Sequence, residues 1–516
     1  MTQLTRFYCS TALIVAFSPQ ILMAEVSADD VWKNQQDYLA TLGGELTSTV
    51  VRLGAGLSVS DMSLAFQLPF EIGSFKLSMP QFSLDEKADG TVEFHYPEPI
   101  RYGLDVDITG EGSFSGSIEL TMLGHSMIAT GEPGNITYTW SVERLDFTTK
   151  DIEIQTVKPG NEELEQFSLS GKGSFQDISG VAVIRVATMV EATSNYSMGH
   201  QEVLFTGEAE NGRFNYAGGA AAVEAKTRIT LPRTRMDILN LAAAFRDGLA
   251  FEVSSSTTGY HTSQITEEDG AVVGEQSNST REQTLNYTLD RAGLKLTGVA
   301  EDMKIDVKPG KEIPFALKFS LDRAEAGVAL PLMASSELQG VSYSLSLEGV
   351  EMAEDLWQLF DPEQRLPRGA ITWTTNLSGK VLNKLDWLDV LTVKEVLESG
   401  EVPVEIHQLD LNELLIEMAG ARLTGSGKAG FDNSDLESSG GIPKPSGVVD
   451  LVLSGGNGLL DNLVAMGLMS DQDAMGARMA VAVFTSPDPE AGDDVLKSHL
   501  EMTEDGQILA NGQRIQ

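Results

Sequence analysis

The sequence predicts a mainly β protein with a few helices: a long curved antiparallel sheet, a β-groove or half-pipe, covered by short amphipathic helices. Apolar and polar residues alternate with period two from about Leu57 to Leu330, as in strands with one buried face. Turn residues separate these runs. A Ser/Thr-Gly-x-Gly pattern recurs at Gly110, Gly171 and Gly425. Because paired glycines in strands are typical of bulges and bends, the sheet is predicted to curve.

The alternation separates two faces of different chemistry. Leu285, Tyr287 and Leu289 alternate with Asn286 and Thr288. The same split recurs farther along, where Tyr343, Leu345 and Leu347 alternate with Ser342, Ser344 and Ser346. We expect these six apolar residues to line a groove or to lie under its lid. Either two sheets close over this face or a curved sheet leaves an apolar trough, and the pattern leaves both alternatives open.

Turn chemistry between the runs predicts hairpins in series. Asn211-Gly212 lies between two alternating runs, and a tight primed turn needs positive φ at both central residues. Asp89-Gly90 and the segment from Asp290 to Gly293 are similar signals. The strands are therefore predicted to be antiparallel.

One repeating unit runs from Leu409 to Leu468. It contains an alternating strand, a glycine-rich stretch, a return strand and an amphipathic helix. We expect Gly425, Gly427 and Gly430 to lie at a sheet edge or bend. We also expect three leucines of the helix to pack over the apolar face: Leu459, Leu460 and Leu463.

Four regions follow from these patterns. Residues 1–24 are predicted to be a signal peptide, 25–56 an N-terminal amphipathic helix, 57–330 an antiparallel β-rich region, and 331–516 an α+β region continuing the same sheet. The helix is predicted from Ser27 to Gly54, with a capping box at Ser27 and Asp30, most simply as a lid on the sheet. The polar segment Ser254–Gln283 is predicted to be a long mobile hairpin or linker. Ala477–Phe484 is predicted to be a closing strand.

The N-terminus resembles a secretory signal. Arg6 precedes an apolar run from Phe7 to Phe17, and Leu22-Met23-Ala24 is a suitable cleavage end. Cleavage after Ala24 is expected, and an uncleaved anchor is the alternative. The only cysteine, Cys9, lies inside this segment. A secreted chain without disulfides fits a Gram-negative periplasm, and no stable transmembrane span is expected after processing.

The net charge is −39 at neutral pH, from 36 Lys and Arg against 75 Asp and Glu. Nucleic acid binding needs clustered positive charge, so nucleic acid is excluded as a partner. An acid-rich surface that keeps the chain soluble is the simpler interpretation, and a surface for cations or a basic partner is the sharper one.

No catalytic, cofactor or metal site is predicted. The stretch Gly425-x-Gly427-x-x-Gly430 continues into a loop rather than opening a helix, so it does not suit phosphate. The six histidines are scattered singly, and His407 alone merits inspection for burial. Asp105 and Asp107 begin like a calcium loop, but the twelfth position is Gly116. The chain is therefore expected not to be an enzyme.

The segment Asp355–Pro362, followed by Leu366-Pro367-Arg368 and Leu377-Ser378-Gly379, resembles an uncharacterised alphaproteobacterial envelope family. That family is the domain of unknown function numbered twenty-one twenty-five. The resemblance covers residues 338–516 best and implies no catalytic residues. More distantly, the strand ladders with glycine edges are similar to AsmA-type envelope proteins. That similarity implies a long β-groove that handles lipid between membranes, although this chain lacks a clear membrane anchor.

Two functions are expected from these observations. The leading one is a periplasmic, non-enzymatic protein that binds or carries a lipid or another amphiphile on an apolar β-groove. The alternative is a structural or assembly factor of the cell envelope, with a closed core and an envelope protein as its partner.

Overall fold

The fold is mainly β, as predicted, and its strands form one antiparallel sheet. The computed structural model describes residues 25–68, 72–110, 112–157, 164–209, 212–233, 236–237, 239–311, 314–434, 436 and 443–515. The predicted signal peptide with Cys9, and Asn211 of a predicted turn, lie outside these residues.

The described residues form six helices and 27 strands. The helices are α1 Ala28–Thr41, α2 Leu241–Arg246, α3 Glu354–Trp357, α4 Val390–Ser399, α5 Gly456–Ala465 and α6 Asp471–Phe484. The first strands are β1 Glu45–Leu53, β2 Gly56–Leu68, β3 Gly73–Ser78, β4 Phe82–Glu86, β5 Val92–His95, β6 Ile100–Ile108, β7 Gly112–Leu123, β8 Ser126–Glu132 and β9 Asn135–Val157. The middle strands are β10 Leu164–Val186, β11 Met189–Met198, β12 Gln201–Ala209, β13 Gly212–Ala220, β14 Ala222–Pro232, β15 Ala250–Glu268, β16 Ala271–Asp290, β17 Gly293–Lys308 and β18 Leu317–Leu330. The last strands are β19 Gln339–Met352, β20 Ile371–Asn383, β21 Val404–Met418, β22 Ala421–Asp432, β23 Lys444–Ser454, β24 Ser486–Pro487, β25 Val495–Met502, β26 Ile508–Ala510 and β27 Gln513–Arg514.

In the first part of the sheet, two shorter strands placed end to end pair with one long strand. In the later part, each strand has a single partner on each side. The long strand β9 pairs with β8 along one half and with β7 along the other, and β10 pairs likewise with β11 and β12. From β15 onward each strand pairs with its successor as far as β23, which then pairs with β25. The boundary at residue 330 therefore falls between two paired strands of one sheet.

The first strands curl around α1. This helix lies against β1, β2, β4, β10 and β11. Successive strands are about 4.8 Å apart, so seven steps of a flat sheet would carry β1 and β11 roughly 34 Å apart, far wider than one helix. The apolar face of the sheet must therefore be concave here.

The core of the molecule lies inside this curl. Val31 and Trp32 of α1 are buried with Leu57, Phe82 and Tyr138 of the strands. One polar link crosses the core: the Tyr138 hydroxyl donates to Asn34 Oδ1 at 2.7 Å, and Asn34 Nδ2 donates to the Ile184 carbonyl at 3.3 Å. Because these groups are satisfied, burying them does not carry the full desolvation penalty.

The N-terminal helix is shorter than predicted. Its capping box at Ser27 and Asp30 is present, but the helix ends at Thr41 and residues Glu45–Leu53 form β1. Gly43, at φ 87°, lies just past the helix end. The following Thr, Ser and Val residues are mostly β-branched and suit a strand.

Of two further predictions, one was half right and one was wrong. The stretch Ser254–Gln283 is a long hairpin formed by the paired strands β15 and β16, and it is therefore not a linker. Consecutive Ser and Thr residues such as Ser254, Ser255 and Ser256 occupy both faces of β15, and this hides the alternation. Ala477–Phe484 is not a strand but the second half of α6, which begins at an N-cap, Ser470, whose hydroxyl accepts from the Asp473 amide.

The glycine-rich stretch of the repeating unit lies inside the sheet, not at its edge. Gly425 and Gly427 are in β22 and pair with β21 on one side and β23 on the other. The irregularity is in the partner strand, where the register shifts between Leu411 and Leu414. A Cβ at Gly425 would lie 2.5 Å from Leu451 Cδ2, so glycine here makes room for a neighbouring leucine.

Several residues with positive φ stand where the apolar positions along a strand switch between odd and even residue numbers, which is called here a change of phase. On β2, Leu57 and Val59 are at odd positions and Met62 is at an even one, yet all three lie in one buried core. Asp61 (φ 50°) stands between them, at a register shift against β1. The bulged residue thus keeps the apolar side chains on one face.

The same phase change recurs in later strands. On β17 an even-numbered run ending at Ala300 gives way to an odd-numbered run starting at Met303, with Asp302 (φ 51°) between. Gly349 (φ 68°) separates two such runs in β19, and Asp177 (φ 51°) does so in β10. Aspartate is one of the few non-glycine residues that tolerates this conformation.

Candidate functional site

The strand register places the predicted groove residues on one face of the sheet. Tyr287 pairs with Leu296, which pairs with Val328, which pairs with Tyr343. Leu285 and Leu345 are joined in the same way through two small residues, Gly298 and Ala326. Paired residues share a face, so all six sheet residues predicted for the groove lie on one apolar face. Three strand steps, about 14 Å, separate the two groups.

Small residues lie between the two groups. Gly298 pairs with Ala326, and Ala300 pairs with Ala324, on the adjacent strands β17 and β18. A Cβ at Gly298 would come no closer than 3.6 Å to any neighbour, an ordinary van der Waals distance, so a side chain can begin there without a clash. Larger residues flank these four: Leu285 on β16, and Leu345 and Leu347 on β19. The result is a shallow apolar depression, here called the channel, that is bounded on β17 and β18 by Leu296 and Val328.

Much of this apolar face is open to solvent. Leu285, Tyr343 and Trp373 each keep 44% of their surface exposed, although they belong to strands in the middle of a sheet. Leu289 differs from the other predicted residues because it packs against the N-terminal core. Extended exposed apolar surface is unusual on a monomer and is typical of a binding site.

Helices α1, α5 and α6 lie near the two ends of this face, and α2 packs in the N-terminal core. At the first end α1 fills the curl of the sheet. At the other end α5 and α6 lie against β22 and β25. The Ser498 hydroxyl of β25 donates to the Phe484 carbonyl of α6 at 2.7 Å. Ser498 pairs with Leu451, so the hairpin of α5 and α6 is on the apolar side of the sheet.

The three leucines predicted to cover the sheet belong to α5. Leu459, Leu460 and Leu463 are all half-buried. The N-terminus of α5 is held by Asp494, whose carboxylate accepts from the Asn457 and Gly458 amides at 3.3 and 3.1 Å. The packing of these leucines over the apolar face stays a prediction.

The opposite face of the sheet is polar. One cleft of about 740 Å³ crosses β9 to β16 and is lined by a cross-strand row of Ser179, Ser197, Glu224, Ser256 and Thr284. The side chains here are mainly small hydroxyls. The sequence does not predict a cleft on this face, because a Ser/Thr alternation is typical of a solvated surface.

His407 and Lys384 both lie beside Glu405. His407, half exposed, has Nε2 3.5 Å from Glu405 Oε2, and this nitrogen makes no hydrogen bond. Lys384 also contacts Glu405, and its ion pair holds the pKa of that carboxyl below its usual range. Within the described ranges, no three His, Cys, Asp or Glu residues are grouped so as to hold a metal ion. Among the helices that the structure describes, none is long and apolar enough to cross a membrane.

The segment that carries the family resemblance forms a compact loop region between β19 and β20. Asp361 is fully buried and accepts from the amides of Arg365 and Leu366, both at 2.9 Å. Arg368 forms an ion pair with Asp361 and lies 4.3 Å from the centre of the Trp357 ring. Desolvation alone would raise the pKa of Asp361, but Arg368 and the two amides hold it below its usual range. These residues therefore have a structural role.

Comparisons with known proteins give no match. No protein family, curated protein or solved structure is significantly similar to this chain. The resemblance to the envelope family and the distant similarity to AsmA-type proteins stay predictions.

Proposed function

We propose that this protein binds or carries a lipid or another amphiphile in the bacterial periplasm, with the apolar chain lying along the channel over β17 and β18. The observation that carries the proposal is the exposed apolar channel with its floor of Gly298, Ala300, Ala324 and Ala326. Small residues let a chain approach the backbone, and the flanking leucines contact its sides. The predicted secretory signal at the N-terminus and the predicted family resemblance support the location.

The test is a single substitution that places a side chain in the channel and changes no other part of the protein. In Gly298→Leu, the new side chain occupies the open space above β17. Gly340→Leu is the matched control, because Gly340 pairs with Lys380 on the polar face and a Cβ there meets only Lys380 Nζ, at 3.9 Å. We expect Gly298→Leu to weaken binding of cis-parinaric acid at least about tenfold, the loss of ~1.4 kcal/mol of apolar contact. Gly340→Leu should bind like the wild type.

Native mass spectrometry and lipid extraction of the wild-type protein, purified without detergent, complete the test. A bound amphiphile that Gly298→Leu lacks and Gly340→Leu retains supports the proposal. If the wild type binds neither cellular lipid nor the fluorescent acid, or if both variants bind equally well, the proposal is wrong. A crosslinked envelope protein on the apolar face would then favour the assembly factor.

A further inference from the structure

A strip of polar side chains interrupts the apolar face on β15 and β16. Where the two strands pack against the N-terminal core, the residues on this face are apolar, as at Phe251 and Leu289. Toward the turn between the strands, the residues on the same face carry hydroxyl and amide groups instead. Three directly paired sets form what is called here the polar strip: Thr257 with Gln283, Tyr260 with Thr280, and Thr262 with Asn278.

The polar strip begins beside the floor of the channel. Gln283 pairs with Ala300, and Ala300 pairs with Ala324 in that floor. Paired residues share a face, so the Gln283 amide lies on the channel side of the sheet, one strand step or about 4.8 Å from Ala300. A ligand in the channel is therefore within reach of this amide.

The far end of the polar strip is on the same face. Asn278 pairs with Ile305, which belongs to the apolar run that starts at Met303 after the change of phase. The Asn278 amide donates to the Thr262 hydroxyl at 3.4 Å, which places both side chains on one side of the sheet. Thr280, between Asn278 and the channel, is 4% exposed. The polar strip therefore extends from the channel floor toward the turn of the hairpin.

The residues around the polar strip are uncharged. Those that pair with it from β13, β14 and β17 include Gly218, Val223, Ala300 and Ile305. Arg281 follows Thr280 in the chain, but its guanidinium forms ion pairs with Glu301 and Asp302. Glu301 is the neighbour of Ala300 in β17 and so lies on the opposite face. A charged headgroup would leave water here without a counter-charge, which is costly, whereas hydroxyl groups find both donors and acceptors.

We infer that the polar strip binds the headgroup of the amphiphile held in the channel, and that this headgroup is an uncharged sugar. The amides and hydroxyls of the strip exchange hydrogen bonds with the sugar hydroxyls, while the acyl chain lies over Ala300 and Ala324. The ligand class is thus a glycolipid rather than a phospholipid. This inference rests on the proposed function, because the channel must hold the chain for the strip to meet the headgroup.

The test compares two amphiphiles that have the same dodecyl chain and different headgroups. Dodecyl maltoside carries an uncharged sugar and dodecylphosphocholine a zwitterionic group, and each is used as monomers to displace cis-parinaric acid from the full-length protein. We expect the wild type to release the acid at a concentration of dodecyl maltoside at least about tenfold lower than that of dodecylphosphocholine, equivalent to one or two net hydrogen bonds. Maltose alone, which has no chain, should not displace the acid.

A double variant removes hydrogen-bonding groups from the polar strip. Gln283→Met with Asn278→Leu keeps similar side-chain volumes and should abolish the preference for the maltoside. Asn286→Leu with Thr288→Val is the matched control, because it makes the same kind of change on the opposite face of β16, and it should keep the preference. Both variants should bind cis-parinaric acid as the wild type does, which shows that they are folded.

The possible failures are distinguishable. Equal displacement by the two dodecyl compounds, or a strip variant that keeps the wild-type preference, would overturn the inference and leave the channel in place. Displacement by maltose alone would make a free sugar the ligand and would overturn the glycolipid. A wild type that does not bind cis-parinaric acid removes the channel itself, and the inference with it.

Discussion

The N-terminal curl and the middle of the sheet share one sequence pattern and differ in what covers it. In the curl, Leu57 and Phe82 are buried beneath Trp32 of α1. In the middle, Leu285 and Tyr343 alternate with polar residues in the same way but remain 44% exposed. The alternation determines which side chains share a face. Whether that face is a core or a binding surface depends on a helix elsewhere in the chain.

The difference also separates stability from function. A covered apolar face is buried on folding and so stabilises the folded state. An open apolar face contributes little to stability, and its area is buried only when a ligand binds. Helices α1, α5 and α6 contact the sheet near its ends, whereas Leu285 and Tyr343 of the middle strands stay exposed. The first prediction below tests this division.

The largest effect is expected at the covered end. Trp32 is 6% exposed and its ring lies edge-on to Phe82, with ring centres 6.1 Å apart. Trp32→Ala should lower the free energy of unfolding by about 3–5 kcal/mol, because it leaves a cavity between α1 and the sheet. Leu345→Ala in the open channel should cost less than ~1 kcal/mol. Urea denaturation followed by circular dichroism measures both. If both variants lost the same free energy of unfolding, the middle of the sheet would be a packed core like the N-terminal curl, and the proposed difference between the two regions would be wrong.

A smaller effect on stability is expected in the loop region around Asp361. Asp361→Asn removes the charge that pairs with Arg368 and should lower the melting temperature by several degrees. Glu363→Gln is the control, because the Glu363 side chain is 69% exposed and its pair with Arg365 contributes little. The folded-state pKa of Asp361 lies below its unfolded value of about 3.9. Its contribution is therefore present above about pH 4 and is lost as the pH falls toward the folded pKa.

That pH dependence distinguishes the ion pair from simple packing. Between neutral pH and about pH 3, the wild type should lose melting temperature faster than Asp361→Asn. Parallel curves would mean that the buried carboxylate contributes no charge-dependent stability.

Much of the fold was predictable from residues, and the reasons for the failures are physical. The alternation around Tyr287 and Tyr343 was enough to place both on one face, because strand side chains have a period of two. The open channel was not predictable, since exposure depends on whether a helix distant in sequence covers the strand. Ala477–Phe484 is a short, almost wholly apolar run that a buried strand would also show, and only the capping pair Ser470 and Asp473 indicated that a helix begins before it and continues through it.

The row of positive-φ residues was the feature that sequence analysis missed. An aspartate such as Asp302 is an ordinary residue on a solvated face, so it attracts no notice. The signal was the change of phase on either side of it, from Leu296 and Ala300 to Met303 and Ile305. A period-two pattern that shifts by one residue at an Asp predicts a bulge or bend, because the shift would otherwise turn the apolar run toward water.

The smallest effect is expected at one of these bends. Asp151 in β9 has φ 51°, is exposed, and stands where the registers of β7 and β10 both shift. Because a non-glycine residue pays roughly 1–2 kcal/mol for this conformation, Asp151→Gly should raise the free energy of unfolding by up to ~1 kcal/mol. Glu153→Gly, two residues farther along the same strand, should lower it by about 0.5–1 kcal/mol, since glycine weakens a regular strand. The opposite signs, measured by urea denaturation, test whether the bend is a local backbone requirement. Equal signs would mean that the aspartate is there for its side chain, and the proposed origin of the phase change would have to be abandoned.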